Sequence, residues 1–518
     1  MRFFGEAVEF KKQPGIGAPV WRGRVGGGAA LQSFAVAVRG AGGRLAALWG
    51  SDERPTAGCF RLHAVFGIDA GHAWLALDLP PDLFCPDLSG IFPAANRMQR
   101  AARDLVGIDF EGADRRPWLR HGGWPADWHP LRHDIGEPAG FANQVTDYDF
   151  VRVGGEGAHE VPVGPIHAGT IEPGHFRFSV VGERVLRLEQ RFGYAHKGIE
   201  RLFAGMGLDE GARLAGRVSG DSTCAYAWAY ADAVEAACGA NPPPRALGLR
   251  ALMLERERVA NHLGDLGAMG NDAGLAFGLA QFSRLREDWL RLNARLFGHR
   301  LLMDCIVPGG AALDLDAPAL SLVVEQCEAV GREVRALRRI YDEHAGLQDR
   351  FLTTGVLDIA LARELSLSGL AARASGLILD GRAHRQGYTP PPPWAALGVR
   401  PASDERGDVA ARAAVRFAEV AESLRLLREL AVGLPAGDIR VGLAPAASGA
   451  GLGVVEGWRG EVIVGVALDA QGRLARVHPH DPSWQAWPAL ERAVLNDIIP
   501  DFPLINKSFN LSYSGADL

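Results

Sequence analysis

Residues 191–235 read RFGYAHKGIERLFAGMGLDEGARLAGRVSGDSTCAYAWAYADAVE. From Thr223 onward the run is rich in alanine, and Tyr226, Tyr230 and Val234 recur at helical spacing, which predicts a helix over 223–237. A shorter helical run, 208–213, leads into it. Between the two lies a polar turn, Arg217-Val218-Ser219-Gly220-Asp221-Ser222. Asp221 beside two serines supplies three oxygen side chains, enough to contribute to a six-coordinate site for a hard cation such as magnesium. The same residues suit a helix N-cap that satisfies the free amides near Thr223, and the cap is the favoured reading.

Downstream, apolar periodicity predicts helices over 246–268, 281–302, 317–345 and 409–432. Arginines at 284, 286, 291 and 295 make a solvated face on the second of these, and Val415, Ala418, Val420, Leu424 and Leu427 supply the apolar side of the last. Long helices joined by short connections suit an antiparallel bundle. Strands follow at 460–466 and 473–479, a hairpin about 470–472, and the tail 500–515 alternates aromatic and polar residues as a packed extension.

Upstream, 177–181 and 184–190 alternate as a hairpin, and prolines and glycines in 161–178 argue for turns between short strands. A polar, glycine-rich stretch at 135–157 reads as a linker. Before it, 33–38 and 45–49 read as strands, 62–69 and 72–79 as a strand pair, and 89–105 as a helix with Arg97, Arg100 and Arg103 on a solvated face. The expected fold class is α+β: a small α/β N-terminal domain over 1–140, then a mainly helical domain with peripheral β-hairpins over 158–518.

The chain has 518 residues, 47% hydrophobic and 22% charged, with a net charge of -6, so it carries no electrostatic footprint for nucleic acid. Its six cysteines, at 59, 85, 224, 238, 305 and 327, form no Cys-x-x-Cys pair, which excludes a zinc ribbon or a disulfide framework. No signal peptide and no long uninterrupted apolar run is evident, so a cytoplasmic protein is expected, with membrane contact only through partners.

The 191–235 stretch resembles the large subunit of nickel-iron hydrogenases and its relative, the 49 kDa subunit of respiratory complex I. Leu370-Ala371-Ala372-Arg373-Ala374-Ser375-Gly376 with Asp380-Gly381-Arg382 matches a further family segment. Ahead of these, 101–112, 114–116 and 128–134 are similar to the signature of the complex I 30 kDa subunit. That order is like formate hydrogenlyase-type large subunits. The catalytic hydrogenases bind their metals through Cys-Gly-x-Cys and a distant Asp-Pro-Cys-x-x-Cys. The matching positions here are Ser219, Ser222, Ser483 and Ala486. Nickel needs soft, deprotonated sulfur, which serine hydroxyls and alanine do not supply. The resemblance therefore implies a hydrogenase-like scaffold without the nickel-iron centre. A hydrogenase with substitute ligands is the lesser alternative, Cys224 being the one thiol near the expected site.

By the same resemblance, Glu172 stands where the family places a proton-relaying glutamate, within Glu172-Pro173-Gly174-His175, and His175 and His167 join it as catalytic candidates. A relay role expects a buried carboxylate of raised pKa; the plainer reading is a turn carboxylate. His167 corresponds to the first histidine of the quinone loop, while Ile171 and Gly220 replace its second histidine and the quinone tyrosine. Quinone is thus a weakened candidate ligand. His196, Lys197 and His262 resemble residues facing an iron-sulfur cluster held by a small partner subunit; the plainer reading is an ion-pair network. No cofactor is expected on this chain itself, and no glycine-rich dinucleotide motif supports NAD binding beyond a family label. The implied assembly contains an iron-sulfur small subunit and membrane-embedded antiporter-like subunits on the cytoplasmic face of the inner membrane. The chain would serve there in electron transfer and proton coupling, or only as a scaffold.

Overall fold

A computed structural model describes residues 8–136, 148–167, 171–444 and 447–518. Part of the expected linker, 137–147, lies outside the described residues, as do 168–170 of the turn-rich run.

The N-terminal part is built on a five-stranded sheet, ordered Lys11–Lys12, Val20–Val25, Gly71–Asp78, Phe60–Ile68, Arg44–Asp52. The hairpin about Ala70-Gly71 is present, with Ile68 opposite Gly71. Residues 33–38 are not a strand but part of the helix Gly28–Gly40. The physical reason is that its buried positions, Leu31, Phe34, Ala35 and Val38, follow helical spacing, whereas the apparent alternation came from alanines and from Val36, which is 57% exposed.

The expected helix runs over Ala95–Val106, and its arginines correct a second expectation. Arg97 and Arg100 are buried, not solvated. Arg97 donates to Glu491 (2.7 Å), and Arg100 to the Pro117 carbonyl (3.0 Å) and the Tyr148 hydroxyl (2.6 Å). This helix lies at the boundary of the two parts, where far-off segments satisfy guanidinium groups that a local reading assigns to water. The 30 kDa-like signature also works at this boundary. Asp104 accepts the amides of Trp118, Leu119 and Arg120, and Arg191 donates to the carbonyls of Trp118 (2.7 Å) and Arg120 (2.6 Å).

The second part contains the expected bundle: Pro244–Asp272, Ala276–Phe297, Ala317–Glu343 and Val409–Val432, with Pro244–Asp272 buried along nearly its whole length. The alanine-rich helix Thr223–Cys238 packs on a three-stranded sheet, Ala450–Glu456, Glu461–Leu468 and Leu474–His480. Sequence alternation had indicated only the last two strands. The first is held so close to the helix that a Cβ at Gly453 would lie 1.8 Å from the Ala229 carbonyl, and its glycines blur the alternation. The tail is packed as expected, forming Phe502–Phe509 and the buried turn of helix Tyr513–Asp517. Among the described residues no helix is long and apolar enough to cross a membrane.

Candidate functional site

The tail gathers residues that the sequence scatters. Ser512 shares a hydrogen bond with Ser219 (3.0 Å) and donates its amide to the Ser483 hydroxyl (2.9 Å), so the two degenerate segments meet through it. Tyr513 places its hydroxyl 3.4 Å from His167 Nε2. Ser514 donates its amide to Glu172 (3.0 Å). The Asp517 carbonyl lies 2.7 Å from His196 Nδ1, and its carboxylate accepts the amides of Gly193 (2.9 Å) and Ala195 (2.8 Å). Lys197 reaches past the tail and donates to the Val218 carbonyl (2.8 Å), directly before Ser219.

Asp221 neither caps the following helix nor stands open for a cation. Its carboxylate is chelated by both terminal nitrogens of Arg459, and the same guanidinium donates to Ser222 Oγ (3.0 Å) and the Asn510 carbonyl (2.6 Å). Burial would push the Asp221 carboxyl up, but Arg459, with Ser219 and Ser222, holds it at about 2. The helix amides are satisfied from another element: Glu257, on Pro244–Asp272, accepts from Cys224 N (2.6 Å) and Ala225 N (3.3 Å). Tertiary contact supplies the cap that the local sequence was expected to provide. Glu257 is pushed up to about 8 by burial, against those two amide bonds.

Three further expectations are corrected. Glu172 is exposed rather than buried. His262 does not face outward toward a partner's cluster: it is fully enclosed, with Nε2 2.7 Å from Glu419 and its ring edge-on to Trp458. Burial pushes its imidazole pKa down, opposed by Glu419. His175 does not join Glu172 and His167; it sits on the strand His175–Val181, its Nδ1 3.2 Å from the Gly164 carbonyl and its Nε2 accepting from Arg177 (3.3 Å). Lys197 and His196 remain near the surface, with His196 stacked on Trp124.

Sequence reasoning missed Asp517, Ser512 and Arg459. Burial pushes the Asp517 carboxyl up to about 7, so it exchanges a proton near neutrality beside His196 and within electrostatic reach of Glu172. The alternation in the tail signalled packing but not these partners. Cys224 is fully buried and its thiol is raised well above the usual range by burial and Glu257, so it stays protonated. Among the described residues no cluster of three or more histidine, cysteine or acidic side chains is placed to hold a metal ion.

The chain is similar to subunits of several known oxidoreductases. Residues 29–139 match the model of the "Respiratory-chain NADH dehydrogenase, 30 Kd subunit", and residues 272–447 that of the 49 Kd subunit. The chain is 31% identical over 490 residues to formate hydrogenlyase subunit 5 of Escherichia coli K12, covering 92% of this chain and 85% of that protein. It is 29% identical to hydrogenase-4 component G of the same organism, over 92% of this chain and 84% of that one. In fold it resembles a chain of an archaeal respiratory membrane complex, the membrane-bound sulfane sulfur reductase, with a TM-score of 0.65, 24% identity, and coverage of 70% of this chain and 99% of that one.

Proposed function

This chain belongs to the family of formate hydrogenlyase subunit 5, in which complex I 30 kDa-like and 49 kDa-like domains are fused, and from that premise we propose that it is a peripheral subunit of a membrane-associated oxidoreductase complex that moves electrons and protons without a nickel-iron centre. The observation that carries this reading is the meeting of Ser219 and Ser483 through Ser512, with Arg459 seated on Asp221 and Ser222. These are hard oxygen donors already engaged with one another and with a resident cation, and Ala486 offers no donor. The set does not fit a soft metal site.

In this reading Lys197 and His196 face an iron-sulfur small subunit, where a cation and an imidazole raise a cluster's potential. Glu172 and Asp517 pass protons near it, and membrane-embedded antiporter-like subunits hold the assembly at the cytoplasmic face of the inner membrane. The His167–Tyr513 pair, with two polar groups 3.4 Å apart, favours a quinone head group as a second ligand reading.

The test is purification of the assembly from gently solubilised membranes, with mass spectrometry of its components and metal analysis. An iron-sulfur subunit and multi-helix membrane subunits, with no nickel, are expected. Nickel at one equivalent per chain would overturn the metal-free reading. Glu172→Gln and Lys197→Ala are expected to slow turnover with assembly intact; unchanged turnover would leave the chain a scaffold.

A further inference from the structure

Between the N-terminal sheet and the sheet 450–480 lies a cleft of about 760 Å³, within the size range of small-molecule sites. It is lined by the cations Lys11, Lys12, Arg22, Arg24, Arg61 and Arg476, against the carboxylates of Glu9 and Glu53. The strand register places Lys11 directly opposite Arg22, a like-charge pair that costs stability unless something negative lies between them. Among the described residues, Lys11, Lys12 and Arg22 have no ion-pair partner, and the one partner of Arg24 is Asp78 at 3.6 Å, with both side chains largely exposed. Arg22 lies 4.4 Å over the Trp74 ring, and its hydrogen bond is to the Ala450 carbonyl of the other domain (2.8 Å).

The back wall is already fixed. Arg61 is held by Glu53 and Asp78, and Arg476 by Glu200 at 2.8 Å. Between them, His63 (4.9 Å) and His478 (4.7 Å) both stack on the Trp49 ring, and these two histidines are bound to Glu53 and Glu200 in turn.

We propose that this cleft is a binding site for a small organic di- or triphosphate. Glu53 is taken up by Arg61 and His63, which leaves Glu9 as the one lining carboxylate against the unpaired Lys11, Lys12 and Arg22, and such an excess of cations matches the several oxygens of a phosphate chain. Both aromatic surfaces in the wall are already covered, Trp49 by the histidines and Trp74 by Arg22, so recognition rests on the phosphates rather than on an attached ring.

The test is titration of the full chain with ATP and with inorganic pyrophosphate at low salt, read by tryptophan emission and isothermal calorimetry. Both ligands are expected to bind, with affinity falling as salt rises. Arg22→Ala and Lys11→Ala are each expected to weaken binding by about tenfold. Arg291→Ala, on the exposed face of Ala276–Phe297 and not among the residues lining the cleft, is expected to leave it unchanged. Absence of binding by both ligands, or binding that neither Arg22→Ala nor Lys11→Ala weakens, would overturn the proposal. Lys11 and Arg22 are exposed, so their replacement leaves the core intact.

Discussion

Glu419 in the bundle interior and Asp517 in the tail are both buried carboxylates, yet they stand in opposite electrostatic states. In the interior, Arg373 donates to Glu419 (2.9 Å) and Glu456 (2.7 Å), Arg382 to Glu255 and Asp380 (2.7 Å each), and Arg258 lies 3.5 Å from Glu419. Burial would raise the Glu419 carboxyl, but Arg373, His262 and Arg258 hold it well below its ordinary range, so the group stays ionised. At the tail, Asp517 has backbone amides in place of a cation and exchanges its proton near neutrality. At Glu419 the cations outweigh burial and fix the charge, whereas at Asp517 burial outweighs two amide bonds and leaves the proton exchangeable. The histidine that sequence motifs favoured, His262, is paired with the ionised Glu419, whereas the exchangeable proton of Asp517 lies beside His196.

Removing a partner from the interior is the harshest way to break this contrast. Glu419→Ala strips the buried His262 of its carboxylate and Arg373 of one of its two, and is expected to cost about 3–5 kcal/mol, measured by urea denaturation. A cost under about 1 kcal/mol would mean that the network is hydrated. Ser512→Ala removes the bridge to Ser219 and the cap on Gly515 N (2.9 Å), with an expected loss of about 1–2 kcal/mol in the same assay.

The pH dependence of Asp517 sharpens the comparison further. Its folded carboxyl titrates at about 7 against roughly 3.9 in the unfolded chain. The folded state therefore keeps a proton that the unfolded state has lost in this window. The stabilisation is full below about pH 4 and falls as pH rises to 7, by at most about 1.4 kcal/mol per unit. Asp517→Asn is expected to flatten melting temperature against pH over that window; an unchanged slope would assign the titration to another group. Smallest of all, Glu172→Gln is expected to change stability by less than about 0.5 kcal/mol, because its carboxylate is exposed.

Regular elements were legible wherever local periodicity agreed with burial. The helix Val409–Val432 has the bounds its pattern predicts, and the hairpin of His175–Val181 with Arg184–Arg191 agrees closely. The failures have physical causes. Alanine fits both periods, so 33–38 read as a strand within a helix. Gly451 and Gly453 hide a strand because close approach to a helix, rather than side-chain burial, selects them. Arg97 and Arg100 read as solvated because their partners, from Pro117 and Tyr148 to Glu491, lie in other segments.

The sequence by itself determined the family, the order of its two domains, the bundle, and the replacement of thiols by Ser219, Ser222, Ser483 and Ala486, since each depends on residue identity and short-range spacing. Only the tertiary structure decided that Arg459 sits on Asp221, that Glu257 caps the central helix, and that Ser512, Tyr513, Ser514 and Asp517 each hold a different candidate residue. These contacts join residues from 33 to 346 positions apart, and their protonation is set by burial and by neighbours that no local window contains.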